Sequence, residues 1–205
     1  IGVGIATRSE GLATISKPGC AAVLWKRAPL RSFQAWIDAQ AVEHLPRARV
    51  TLRPDAVWPA LRSVVAASGL PADVERDRLV DDISALAQIF ADLMGCAYIQ
   101  LRLDVIETDA CRKFHIDQVT ARLICTYRGP GTQYGVSSDG ETPTRIHDVP
   151  TGSPFLLRGT RWPGANSSGL VHRSPPIEGS GESRLVLVLD PINASSERDE
   201  LGFLH

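Results

Sequence analysis

The sequence predicts a single α+β domain in which helices pack outside a small β-sandwich of barrel or jelly-roll type. Three observations predict it. Apolar residues recur at helical spacing up to about residue 95; they alternate or form short runs from about residue 97 onward; and turn-rich segments separate those runs. The 205 residues suffice for one substantial core. One domain is expected over 1–205, with helical support over about 28–95 and a jelly-roll core over about 97–192.

The opening residues, IGVGIATRSEGLATI, have no long apolar core after a basic start and do not read as a signal peptide. In PLRSFQAWIDAQAVEHL, Leu30, Phe33, Trp36, Ile37 and Leu45 fall near one helical face, and Ser32 is the candidate cap. VWPALRSVVAASGL puts Trp58, Leu61, Val64 and Val65 on one side and stops at Gly69. The third helix has the clearest pattern. Val74, Leu79, Ile83, Leu86, Ile89, Phe90 and Leu93 repeat at helical spacing before Gly95, and Asp73, Glu75 and Asp77 sit at the end where the helix dipole favours acids. Then AYIQLRLDVIE and ARLICTYR alternate, while SPFLLRG and SGLVHR are short apolar pieces. SRLVLVLDPI is an apolar run of strand length that Pro191 is expected to stop. GPGTQYG, SSDGETP and RWPGANSSG supply the turns. The last stretch, ASSERDELGFLH, is polar and is expected to fray or dock weakly.

Composition narrows the function classes. The formal net charge is −1, and the basic residues are spread along the chain rather than gathered in a patch. A nucleic-acid duplex, whose phosphates demand concentrated positive charge, is therefore the least favoured partner. No apolar run approaches the roughly 18 residues of a membrane span. Cys20, Cys96, Cys111 and Cys125 are widely spaced, without a CxxC pair. That argues against a disulfide framework or a four-cysteine zinc site, and for a reducing, cytoplasmic setting.

One short motif carries chemistry. His115-Ile116-Asp117 is an H-x-D, and in a strand residues i and i+2 point to one face. An imidazole and a carboxylate can then aim at one point. A second imidazole, for which His172 is the candidate, would complete a 2-His-1-carboxylate set that leaves positions open on an octahedral metal. Arg184 begins the apolar run SRLVLVLD. If it shares a face with Val186 and Val188 it points inward, where a guanidinium is costly without an anion. A carboxylate bound through both of its oxygens would account for it.

The order of these pieces, FHID, ARLICTYRGPGTQY, GSPFLLRG, GLVHR and GESRLVLVLDP, resembles the iron(II)/2-oxoglutarate-dependent oxygenases. Over more of its length, through ACRKFHID, TYRGPGTQ and VHRSPPIEGSGESRLVLVLDP, the chain resembles a bacterial family known as domain of unknown function 1826. The oxygenase resemblance implies a double-stranded β-helix, a cupin-like jelly roll buttressed by the N-terminal helices. It implies Fe(II) held by His115, Asp117 and His172, with Arg184 binding the distal carboxylate of 2-oxoglutarate as co-substrate. Tyr127, on the odd-numbered face with Leu123 and Cys125, is a further candidate for holding the co-substrate. Many relatives place a Ser or Thr two residues after the Arg; this chain has Val186 there, which leaves Arg184 with Tyr127 or Thr126 to do the holding.

The implied activity is hydroxylation of a small-molecule or peptide substrate by a dioxygenase. Two other readings stand beside it. One is a cupin-like protein holding zinc or another divalent ion without oxygenase activity; the other is a non-catalytic jelly-roll binding module. Trp162 and Arg161, in a glycine-rich stretch before His172, are candidates for touching substrate, and Trp162 is also read as a loop anchor packed on the outer wall. His44, His147 and His205 are expected at the surface.

Overall fold

The computed structural model describes residues 2–109, 111–137, 142–164 and 169–192. His205 and the rest of the polar C-terminal stretch lie outside the described residues. Among the described residues, two sheets and a helical layer pack together. The larger sheet has seven strands in the order β1-β2-β8-β5-β10-β4-β3. They are β1 (Gly2–Ala6), β2 (Cys20–Trp25), β3 (Ala48–Leu52), β4 (Tyr98–Ile106), β5 (Ala121–Arg128), β8 (Phe155–Arg158) and β10 (Arg184–Ile192). β1 runs parallel to β2, and the other neighbours are antiparallel. The smaller sheet is β7 (His147–Asp148), β6 (Gln133–Val136) and β9 (Leu170–Arg173), in that order. The result is a mixed α+β fold with a sheet-rich core.

Three α-helices cover one face of the larger sheet. α1 (Arg31–Asp38) is shorter than the apolar spacing suggested. It starts after Leu30 without a side-chain cap, so Ser32 lies inside the first turn rather than at its head, and His44 falls in a separate, exposed 3-10 turn. α2 (Val57–Ser68) ends at Gly69, whose φ of 95° suits a residue without Cβ. α3 (Val74–Met94) is opened by the Asp73 carboxylate, which accepts from the backbone N–H of Glu75 and Arg76. The predicted stripe buries itself except at its start, where Val74 is exposed: Leu79, Ile83, Leu86 and Phe90 join Leu61 and Val65 of α2 in one core with Ile99, Leu101, Leu103, Leu123, Cys125, Leu185, Leu187 and Leu189 of the sheet, and Ile89 and Leu93 pack against it half-buried. Each such side chain removed from water stabilises the fold by about 1.5–3 kcal/mol.

The opposite face of the sheet builds a second core. Leu24, Ile124, Phe155, Leu157, Val186 and Val188 pack there with Leu170 of β9 and the half-buried Tyr134 of β6. The two sheets therefore face each other across this second layer. The parity of β10 follows: odd residues face the helices, even residues face the smaller sheet.

Two sequence expectations need correction. The sheet layer does not begin near residue 97. β1, β2 and β3 come from the earlier part of the chain, and β2 lies inside the sheet between β1 and β8. Nor does Pro191 stop β10, which runs on to Ile192. The pairing of β10 with β5 ends at Leu189, so Pro191 pairs on one side only, with Ile99 of β4.

Candidate metal centre

His115 lies outside the named strands but pairs with β9. Its backbone N–H donates to the His172 carbonyl at 3.0 Å, and the His172 N–H returns a bond to the His115 carbonyl at 3.0 Å. Cross-strand partners of this kind carry their side chains on one face. The two imidazoles meet with ring centroids 4.6 Å apart. Asp117 arrives from the next extended residue on that face. Its Oδ2 is 3.1 Å from His172 Nε2, and its Oδ1 is 3.5 Å from His115 Nε2. One ligand atom from each of the three side chains lies within 4.8 Å of the others. The H-x-D pair and the distal His172 are thus brought together, although within H-x-D only His115 pairs as a strand residue does.

The loop that carries Asp117 is tied to the end of β8. Thr160 N–H donates to the Asp117 carbonyl at 2.9 Å, and Arg161 N–H to the Val119 carbonyl at 3.1 Å. The approach is close enough that a Cβ on Gly159 would stand 2.0 Å from the Val119 carbonyl oxygen. Glycine there is a condition of the site's geometry.

The protonation pattern suits a cation. His115 Nδ1 sits 2.8 Å from the Lys113 carbonyl, which can only accept. Nδ1 therefore carries a proton, and Nε2 faces Asp117. The hydrogen bond that a protonated Nε2 donates to Asp117 holds the His115 pKa above its usual value, against the effect of burial; a bound cation would take the place of that proton. Burial pushes His172 down, towards the neutral imidazole that a metal needs. Burial alone would raise the Asp117 carboxyl. The neighbouring imidazoles of His115 and His172 and the Arg122 guanidinium outweigh it and keep the group far below the ordinary carboxylate range. Asp117 Oδ2 is buried and accepts no hydrogen bond of acceptable geometry. A buried carboxylate oxygen left without a donor is costly, and a bound cation would remove that cost. Two imidazoles and one carboxylate with an orphaned oxygen fit a divalent ion.

Arg184 is on the even-numbered face of β10 and 1% exposed. Nε donates to the Pro130 carbonyl at 2.7 Å, Nη1 to Ser174 Oγ at 2.9 Å, and Nη2 to Thr126 Oγ1 at 3.4 Å. Ser174 stands two residues beyond His172, which links Arg184 to the imidazole side of the sandwich. Among the described residues, no carboxylate reaches Arg184 within ion-pair distance. Burial without an anion lowers its pKa to about 10. Gly129, at φ 76°, makes room for the side chain: a Cβ there would lie 3.1 Å from Arg184 Cγ.

Three candidates from the sequence are placed elsewhere. Tyr127 shares the odd-numbered face of β5 with Leu123 and Cys125, as parity predicts, but that face meets the helices. Its hydroxyl donates to Asp82 Oδ2 at 2.7 Å, on α3, and its ring meets Phe33 of α1 edge-on. Thr126, one residue earlier, is the β5 side chain that reaches Arg184. Trp162 packs against the helix-side core beneath the Arg158 guanidinium, 4.6 Å from its ring. Arg158 is on the helix face of β8 and holds the Ile15 carbonyl, so Trp162 anchors the outer wall rather than facing the triad. Arg161 is exposed, tied to the site loop through its backbone alone. His147 is half-buried and stacks on Tyr134.

Two residues were missed by sequence reading. Arg122 Nη1 donates to Asp117 Oδ1, while its Nε and Nη2 hold both oxygens of Asp190 at 2.7 Å. Their meeting depends on the β5–β10 register, which no local pattern announces.

A family model described as "Protein of unknown function (DUF1826)" matches residues 6–190. The chain belongs to that family. No curated protein matches it in sequence. Among solved structures, the DUF1826 chain is similar to the crystal structure of a dioxygenase for auxin oxidation from rice, with a TM-score of 0.51 and 13% identity over 96% of this chain and 84% of that one. It is also similar to a dioxygenase for auxin oxidation from Arabidopsis thaliana in binary complex with 2-oxoglutarate, with a TM-score of 0.54 and 13% identity over 94% and 92% of the two chains. The DUF1826 chain and these dioxygenases share a fold. No helix among its described residues is long and apolar enough to cross a membrane.

Proposed function

We propose that this chain is an iron(II)/2-oxoglutarate-type oxygenase, a hydroxylase acting on a small molecule or a peptide side chain. The two facing sheets are then the walls of a double-stranded β-helix. His115 Nε2, Asp117 Oδ2 and His172 Nε2 would hold Fe(II), and Arg184 would bind the distal carboxylate of 2-oxoglutarate. Bound iron would supply oxygen activation: 2-oxoglutarate and dioxygen yield succinate and carbon dioxide, with one oxygen atom entering succinate and the other the substrate as a hydroxyl.

The observation that carries the reading is Arg184. A permanently charged side chain, 1% exposed, meets only neutral acceptors on the face shared with the triad's side of the sandwich. A dicarboxylate supplies the missing anion at one end and a chelating oxoacid at the other. The absent hydroxyl at Val186 has a substitute. Thr126 is the register partner of Val186 across the strand pair, and its Oγ1 already touches Arg184. Ser174 Oγ completes the polar lining. The residues of the chain thus bind and orient the two substrates.

Protein loaded anaerobically with Fe(II) and then given 2-oxoglutarate and oxygen should release succinate, slowly and uncoupled in the absence of substrate. His115→Ala should abolish it. Iron bound at the triad with no consumption of 2-oxoglutarate would instead favour a metal-binding protein without oxygenase activity.

A further inference from the structure

Asp117 does not stand alone against the cation it is proposed to bind. One of its oxygens is already taken. Arg122 Nη1 donates to Oδ1, leaving Oδ2 as the oxygen without a donor. Arg122 is itself fixed. Asp190 stands just past the last β5–β10 register pair, Leu189 with Leu123, and both of its oxygens are held at 2.7 Å by Nε and Nη2. A guanidinium is planar, so a two-point grip on one edge sets the direction of the remaining N–H groups. Asp190 is held from its other side by Arg102 of β4, at 3.8 Å. The Arg122, Asp117 and Asp190 side chains are 16%, 12% and 7% exposed, which shields the relay from water.

We propose that Arg122, aimed by Asp190, is a positioning residue that confines Asp117 to one-oxygen ligation of a divalent cation and so keeps a coordination position free for ligands. The inference rests on the metal reading given above. Its chemistry is simple. A carboxylate with two free oxygens can chelate a metal through both, and each oxygen fills one position. An oxygen engaged by a guanidinium is a poorer donor and is turned away. Two imidazoles and a single carboxylate oxygen leave half of an octahedron open. An ion pair between Arg122 and Asp190 alone would only join two strands; the third link, to Asp117, gives the pair a task at the metal.

The test uses the full chain loaded with Mn(II), and counts metal-bound water from the line broadening of the Mn(II) paramagnetic resonance spectrum in oxygen-17 water. Arg122→Met should bind Mn(II) with one coordinated water fewer than wild type, because both Asp117 oxygens turn to the metal. Its Mn(II) form should also bind 2-oxoglutarate about tenfold more weakly. Asp190→Asn, which keeps the Arg122 charge but loosens its aim, should move both readouts in the same direction, and carries the test if Arg122→Met does not fold. A pair with a merely structural role would lower the melting temperature and leave the water count and the 2-oxoglutarate affinity of the loaded protein unchanged, and that result would overturn the proposal. Failure of wild-type protein to bind Mn(II) would overturn the metal reading, and this inference with it.

Discussion

Replacing Arg184 with Met separates binding from folding. A buried ion pair normally makes the opposite prediction, since removing one partner strands the other and costs about 3–5 kcal/mol. Arg184 has no charged partner to strand. Its burial lowers the guanidinium pKa from 12.5 to about 10, a penalty on the charged form of roughly 3 kcal/mol. Arg184→Met, similar in length and apolar, removes that penalty. It also removes three hydrogen bonds donated by the charged guanidinium to Pro130 O, Ser174 Oγ and Thr126 Oγ1, about 1.5 kcal/mol each at the low end of the charge-assisted range. The two effects oppose each other, and the bonds outweigh the penalty by about 1.5 kcal/mol. The metal-free variant should therefore melt no more than about 6 °C below wild type, since about 1 kcal/mol shifts a chain of this size by roughly 2–4 °C. Binding of 2-oxoglutarate, which on the proposed reading would gain two charge-assisted hydrogen bonds from Arg184, should fall by at least about a hundredfold. Differential scanning calorimetry and equilibrium dialysis of 2-oxoglutarate against the Mn(II)-loaded protein read the two quantities. A loss of about 10 °C or more, or an unchanged affinity, would refute the reasoning.

Further outcomes follow from the same geometry. His172→Ala should leave the circular dichroism spectrum unchanged and weaken Co(II) binding at least about a hundredfold by isothermal titration, because a ligand is lost rather than its support; wild-type affinity in this variant would remove His172 from the site. Tyr127→Phe deletes the bond to Asp82, which Arg27 still holds through both oxygens. It should cost about 1.5 kcal/mol of stability with no change in 2-oxoglutarate affinity, and an affinity change would return Tyr127 to the site. Burial pushes the Cys125 thiol up to about 12, whereas Cys111 is exposed. A maleimide at neutral pH should label Cys111 in the folded chain and reach Cys125 only after denaturation, and peptide mapping that finds Cys125 labelled first would contradict the packing.

The His115–Asp117 half of the cluster was legible because it needs only short-range parity, whereas His172 joins it through a long-range pairing. His115 and Asp117 share a face through i, i+2 spacing, and the alternation that buries Val186 and Val188 also carries Arg184 inward. What the sequence left open was register. β5 is buried on both faces, so its composition does not say which parity meets the helices. Only the pairing of Val186 with Thr126 decides that Thr126, and not Tyr127, stands beside Arg184. The Arg122–Asp190 contact was hidden for the same reason. It joins residues far apart in the chain through a strand pair whose offset no local signal encodes. The early strands were missed on different grounds: β2, CAAVLW, is a six-residue apolar run, too short for period alone to tell strand from helix. Between the two readings of Trp162, the packing under Arg158 on the far side of the sheet matches the outer-wall anchor and not the substrate contact.

A crystal structure of the protein grown without oxygen in the presence of Mn(II) and 2-oxoglutarate tests the central claim most directly. Anomalous density should show one ion within bonding distance of His115 Nε2, Asp117 Oδ2 and His172 Nε2, with the distal carboxylate of the oxoacid seated on Arg184 and Thr126. An ion bound elsewhere, or an oxoacid that ignores Arg184, would contradict the account.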